Sequence, residues 1–436
     1  MTALSKDSEP LLDHLRDLHR PLHRRSDLDP LIEKLAPARI VMLGEASHGT
    51  SEFYLWRAAI SRRLIEEQDF DFIAVEGDWP DCYRVNRYVK AYPQSGERAD
   101  SVLRGFDRWP TWMWANWEMV AFAEWLRRHN TGRGQRVGFY GLDVYSLWES
   151  LDAIIGHVRR NDPQSLALAE QVFKCFQPYG RDEQRYAWQT ARTHRDCSDA
   201  VIGLLLRLAH RRPRFETDPE GDFDTEQNAH VMVNAERYYR TMVIGGPGSW
   251  NLRDTHMMET LNRLLQHHGP DSKGIVWAHN THIGDARATD MQGEGMHNIG
   301  QLAREEWGPE RVRLVGFGCH RGSVIAGGAW GAERQEMPLP EAQEASWEDA
   351  MHRALGGDGL LLLDEAEPRE DFLQSRGHRA IGVVYNPDYE RFQYVPTELA
   401  RRYDAFLHLE KTRPLHPLHI QAASEAAPPG TFPWGF

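Results

Sequence analysis

A short unbroken apolar run, Ile40-Val41-Met42-Leu43, closes on Gly44-Glu45-Ala46-Ser47-His48-Gly49, and the same pattern returns along the chain. Phe70 to Val75 closes on Glu76-Gly77-Asp78-Trp79-Pro80. Arg136 to Leu142 closes on Asp143, with Tyr145 beyond, and Gly274 to Ala278 closes on His279-Asn280-Thr281-His282. Runs this short, apolar at every position rather than at alternate ones, read as parallel strands covered on both faces. Arg311 to Gly318 (ending in Cys319-His320), Gly359 to Leu363 (ending in Asp364), Ala380 to Tyr385 and Ala405 to Leu409 extend the series. Between the first two runs, Phe53, Trp56, Ala59, Ile60, Arg63 and Leu64 recur at helical spacing, and Glu118 to Arg128 follows the same rule. Strand alternating with helix predicts an α/β fold, a mostly parallel central sheet with helices on both faces.

From Ser146 to about Gln266 the strand signal vanishes and helical patterns replace it, which predicts a helical subdomain inserted between two strands. The expected organisation is an N-terminal extension at 1–25, an α/β core at 26–145 and 267–420, a helical insertion at 146–266 and a flexible tail at 421–436. Two further helices are expected at Glu9 to His19 and Leu28 to Leu35.

The 436 residues carry a formal charge of −13, which argues against binding a phosphate backbone as the main task. Met1 to Arg25 is charged and lacks an apolar segment, and no stretch reaches membrane-spanning length, so no signal peptide or membrane anchor is expected. Cys82, Cys175, Cys197 and Cys319 are widely spaced without a CxxC pair, which predicts reduced cysteines and a cytoplasmic protein.

Parallel strands deliver their carboxyl ends to one edge of a sheet, so Glu45, His48, Glu76, Asp143, His279 and His282 should converge there. Carboxylates and imidazoles sharing a cleft shift one another's pKa values and can activate a water. Asp78, Trp79, Tyr145 and Asn280 follow these strand ends and are expected to bind substrate, as is Arg253, reaching in from the insertion beside Asp254. Trp112, in the cluster with Trp114 and Trp117, is read as either an apolar substrate wall or core, with core favoured. A serine nucleophile is disfavoured because the chain has no Gly-x-Ser-x-Gly elbow. Glu45, His48, Glu76, His279 and His282 are the residues that could hold a divalent metal, yet no HExxH occurs and Arg57 supplies positive charge nearby. No cofactor is expected to be required.

At these residues the chain resembles the erythromycin esterase family. The resemblance rests on Gly44 to Gly49, Arg57, Val75-Glu76-Gly77-Asp78, Trp277 to His282, Asn298-Ile299-Gly300 and Val315 to Gly318, and spans about Pro30 to His419. It implies hydrolysis of an ester, macrolactones included, by a histidine-activated water without a covalent acyl-enzyme. His48 then matches the general base, Glu45 and Glu76 the orienting acids and Arg57 their support. His279 and His282 match the pair expected to contact the ester oxygens or the developing oxyanion. The partner implied is a small-molecule ester. A metal-dependent hydrolase, or a metal- or haem-binding protein of the same superfamily, is the alternative.

Overall fold

The structure, a computed structural model, describes residues 9–134, 136–193, 195–209, 219–363 and 370–419. Asp364 and the 421–436 tail lie outside the described residues. Among the described residues eleven strands run in chain order: β1 His19–Pro21, β2 Ile40–Leu43, β3 Phe72–Asp78, β4 Gly138–Asp143, β5 Gly274–Trp277 and β6 Val312–Gly327. They are followed by β7 Arg334–Leu339, β8 Gly359–Leu362, β9 Ser375–Arg379, β10 Tyr394–Glu398 and β11 Ala405–Thr412.

Nine of them form one sheet in the order β1-β8-β11-β6-β2-β5-β3-β4, with β7 paired to β6 outside that path. From β11 to β4 every neighbour is parallel. Among the described strands of this sheet β8 and β7 run against the rest, and β1, antiparallel to β8, returns to the common direction. Alternate residues of the central strands feed opposite layers, which is why those strands read as unbroken apolar runs. Val41, Leu43, Ile73, Val75 and Trp277 join a core with the helices Ser51–Gln68 and Trp117–Asn130. Ile40, Met42, Phe72, Ala74 and Val276 join a second core with the helices Glu9–Leu18, Gly248–His268 and Trp347–Leu355.

Between β4 and β5 the described residues form helices, from Leu147–Asn161 through Gly221–Met242 to Gly248–His268, with an apolar core of their own around Leu151, Phe176 and Tyr239. The last of these helices also packs into the sheet core through Met257, Leu261 and Leu264. Residues 9–25, read as an extension, are built into the fold. Leu11, Leu12 and Leu15 are buried in the second core, and β1 pairs with β8. The expected strand Ala380 to Tyr385 is displaced. The strand is Ser375–Arg379, and the apolar residues after it make only isolated bridges, Ile381 to Ser47 and Val384 to Gly327. The cysteine expectation is also corrected. Cys175 and Cys197 form a disulfide within the insertion, while Cys82 and Cys319 are free and buried. No helix among the described residues is long and apolar enough to cross a membrane.

Gly49 shows how tightly the loop after β2 is held. Its carbonyl accepts from the N–H groups of Ile325 and Leu415, and a Cβ on it would stand 1.9 Å from the Ile325 carbonyl oxygen. Backbone cannot yield as a side chain does, so Gly49→Ala is expected to cost about 3 kcal/mol or more. A chemical denaturation midpoint unchanged from the parent protein would contradict that reading.

Candidate active site

The four strands singled out by their polar ends, β2, β5, β3 and β4, are consecutive in the sheet; His48, Glu76 and Asp143 line one cleft, and His279 and His282 pack behind Glu76 and His48. At β2 the chain leaves the sheet through Gly44, where a Cβ would lie 2.1 Å from Asn280 Oδ1. The turn that follows folds His48 back on Glu45, with Nδ1 2.9 Å from Oε1. The other Glu45 oxygen accepts from Arg57 Nη2 at 2.7 Å. Arg57 is fully buried, its guanidinium lying over the rings of Tyr54 and Trp277. A chain of Arg57, Glu45 and His48 therefore fixes the imidazole, with Nδ1–H donating to the carboxylate.

Glu76 is aimed by a bulge. Val75 pairs with Gly141 but Asp78 with Asp143, so β3 spends one residue more than β4 over the same span. The bulge fits because position 141 is glycine, where a Cβ would meet the Gly77 carbonyl oxygen at 2.3 Å. Glu76 Oε2 accepts from the His279 N–H at 2.8 Å. Its Oε1 faces His48 Nε2 at 4.0 Å and His282 Nε2 at 3.5 Å, and accepts from Arg253 Nη2 at 2.7 Å. Burial alone would raise this carboxyl, but His282, His48, Arg253 and the His279 N–H outweigh it and hold Glu76 well below the usual carboxylate range.

His48 is opposed by burial but raised above its ordinary value of 6.5 by Glu76 and Glu45. His279 goes the other way, since burial and the neighbouring His48 keep it well below that value, hence neutral. Its Nδ1 stands 2.8 Å from Thr281 Oγ1 and accepts from the Thr281 N–H. The proton is therefore on Nε2, which is buried without a hydrogen-bond partner among the described residues, in a ring 4.9 Å from that of His48.

The insertion contributes two adjacent residues. Arg253 donates to both oxygens of Asp143 at 2.9 and 2.7 Å, and its Nη1 lies 3.0 Å from His282 Nε2. Asp254, fully buried, binds His282 Nδ1 at 2.9 Å and also accepts from the Ile299 N–H at the start of the helix Ile299–Trp307. With Nδ1–H given to Asp254, His282 accepts from Arg253 through Nε2, while its ring stacks on Trp250 at 4.5 Å.

Asp78, Asp143, Tyr145 and Arg253 line the cleft. Asp78 is paired with Arg108 at 3.1 Å and is nonetheless pushed well above the usual carboxylate range by burial. Three expected contacts are not at the cleft wall. Trp79 stacks on Tyr140 in the second core and donates to Asp224. Trp112 is buried in the first core. Asn280 is spent on the backbone of Phe317 and on His378. The apolar wall is instead Phe106, Trp109, Met113, Trp114, Tyr238, Trp250 and Trp330. Most of these sit in loops and in the insertion, where no periodicity marks them, though Trp114 belongs to the tryptophan cluster visible in the sequence. Of the residues that could have held a metal, Glu45, Glu76 and His282 are engaged otherwise. Glu45 is taken by His48 and Arg57, and Arg253 stands among Glu76, Asp143 and His282, where a cation would have to sit.

The sequence model of the erythromycin esterase family matches residues 65–412. The chain belongs to that family. It is a carboxylic ester hydrolase by that membership. Erythromycin esterase type II of Escherichia coli is 22% identical over 426 residues, covering 91% of this chain and 94% of the relative. Erythromycin esterase type I of the same organism is 22% identical over 277 residues, 59% of this chain and 65% of the relative. Among solved structures, a mutant of the erythromycin esterase EreC in its open conformation shares the fold with a TM-score of 0.66 at 20% identity, covering 93% of this chain and 97% of that one. A succinoglycan biosynthesis protein superposes with a TM-score of 0.77 at 20% identity over 94% of this chain and all of that one.

Proposed function

We propose that this esterase cleaves its ester by a water that His48 activates, without a covalent acyl-enzyme. The observation that carries the reading is the orientation of His48. Nδ1 is committed to Glu45, so the lone pair of the neutral ring lies on Nε2, which faces Glu76 across a 4.0 Å gap at the cleft. A water in that neighbourhood would give its proton to Nε2 and attack the carbonyl. The Nε2–H of neutral His279, unpartnered among the described residues, and the guanidinium of Arg253 are the donors this reading assigns to the developing oxyanion. Both are held in place before substrate arrives. The aromatic walls of the cleft favour a largely apolar ester, and a macrolactone, the substrate class in the relatives' names, fits that description.

The test is hydrolysis of a macrolide and a panel of aryl esters by the purified protein across pH. Protonated His48 cannot accept a proton, so kcat/KM should rise with pH through an apparent pKa above 6.5, the ordinary histidine value. Glu76→Gln removes the first of the charges that raise His48 and should move this limb to lower pH as well as slowing turnover. A rate flat from acid to alkaline pH would eliminate His48 as the base. Silence on every ester of the panel would eliminate the substrate class.

A further inference from the structure

On the second face of the sheet, away from the cleft, three histidines and a glutamate gather where the central strands run past the helix Trp347–Leu355. His320 lies on β6 and His408 and Glu410 on β11, a parallel pair in which Leu409 is registered with Cys319. Residues 408 and 410 therefore point to one face, and 320 faces 410. His352 comes from the helix above, its ring stacked on His320 with centroids 3.8 Å apart and planes 4° from parallel. One nitrogen of His320, one of His352 and one oxygen of Glu410 all lie within 4.8 Å of one another.

We propose that this cluster is a binding site for a divalent transition metal of the zinc and cobalt class, held by His320, His352 and Glu410, with His408 as the fourth donor. Buried polar groups are almost always satisfied, and leaving them bare is costly. His320 is 2% exposed and His408 fully buried, yet neither ring has a hydrogen-bond partner for either nitrogen among the described residues. His408 Nε2 stands 3.9 Å from Glu410 Oε2, beyond hydrogen-bond reach. Of the three histidines His352 is engaged, with Nδ1 2.9 Å from that same oxygen, and Arg321 Nη2 stands 3.7 Å from the other Glu410 oxygen.

Imidazole and carboxylate are the donors this class of metal takes, at bond lengths of about 2.0–2.1 Å that set tetrahedral ligands about 3.4 Å apart. Closing from the present separations requires the two stacked rings to turn toward one point. The contrasting group of Glu220, His267 and His268 has no such vacancy. Lys90 already donates to Glu220 at 2.7 Å, and Tyr140 and His267 contact the same oxygen.

The experiment is titration of the chelator-stripped full chain with Co²⁺, read by visible d–d absorption, followed by displacement with Zn²⁺. About one Co²⁺ per chain is expected, with affinity reduced at least about tenfold in His352→Ala and in Glu410→Gln. Both positions are partly exposed, so the variants keep the core, which circular dichroism verifies. His48→Asn should leave the spectrum in place. The proposal is overturned if no stoichiometric band forms, if the band survives both cluster variants, or if it disappears in His48→Asn, which would put the ion in the catalytic cleft.

Discussion

His48→Asn should lower kcat for ester hydrolysis by roughly 10²- to 10⁴-fold, the range of a lost general base. KM should change little. Asparagine places a polar atom near the position of the imidazole Nδ1, so the Glu45 contact has a substitute, but nothing replaces the lone pair at Nε2. The fall should therefore appear in kcat and kcat/KM alike, the signature of an interaction made in the transition state. Steady-state kinetics with a thermal melt as control decides it. A loss below tenfold in a folded variant would remove His48 from proton transfer. The same residue links activity and stability in opposite directions. A histidine raised on folding stabilises fully below its unfolded value, near 6.5, and that contribution fades as pH rises through the folded value. The ring becomes a competent base over the range in which its stabilising charge is lost.

Arg57→Met should cost about 3–5 kcal/mol of folding stability, because it strands a buried carboxylate whose partner is gone. Glu45 and Arg57 are both fully buried, and the pair is made through a 2.7 Å hydrogen bond. The double variant Arg57→Met with Glu45→Gln should recover a large part of that loss, since the uncompensated charge is then gone too. Urea unfolding of the single and double variants measures both. A single-variant loss under about 1 kcal/mol would mean that water reaches Glu45 and that the pair is not the anchor of the histidine.

The strand ends were legible because a strand buried on both faces cannot hide its polar terminus. Glu45, Glu76, Asp143 and His279 each interrupt an apolar run, and the sheet order places those interruptions side by side. Other features had no such signal. β7 carries Pro338 and alternates between exposed and buried positions on an edge, so it reads as a loop. The run from Ala380 to Tyr385 is buried because it passes beneath Ser47 and Gly327, which satisfies burial without a ladder. Asp254 was visible only as the neighbour of Arg253, and its grip on His282 depends on how the insertion's last helix settles on the sheet. The cysteine pair is joined by helix packing rather than by sequence spacing, and the histidine cluster draws on two strands and a helix that are distant in the chain.

Arg253 and Asp254 sit on one turn of a helix that belongs to the insertion, yet they complete the charge balance of Glu76 and Asp143 and hold the ring of His282. The cap over this cleft is thus not an interchangeable lid. A chimera that swaps the helical segment for a relative's, in search of a new substrate, would have to carry an arginine-aspartate pair at the equivalent turn. Otherwise it would leave two acids facing each other and a histidine unheld, and the transplant would fail in the chemistry before its specificity could be read.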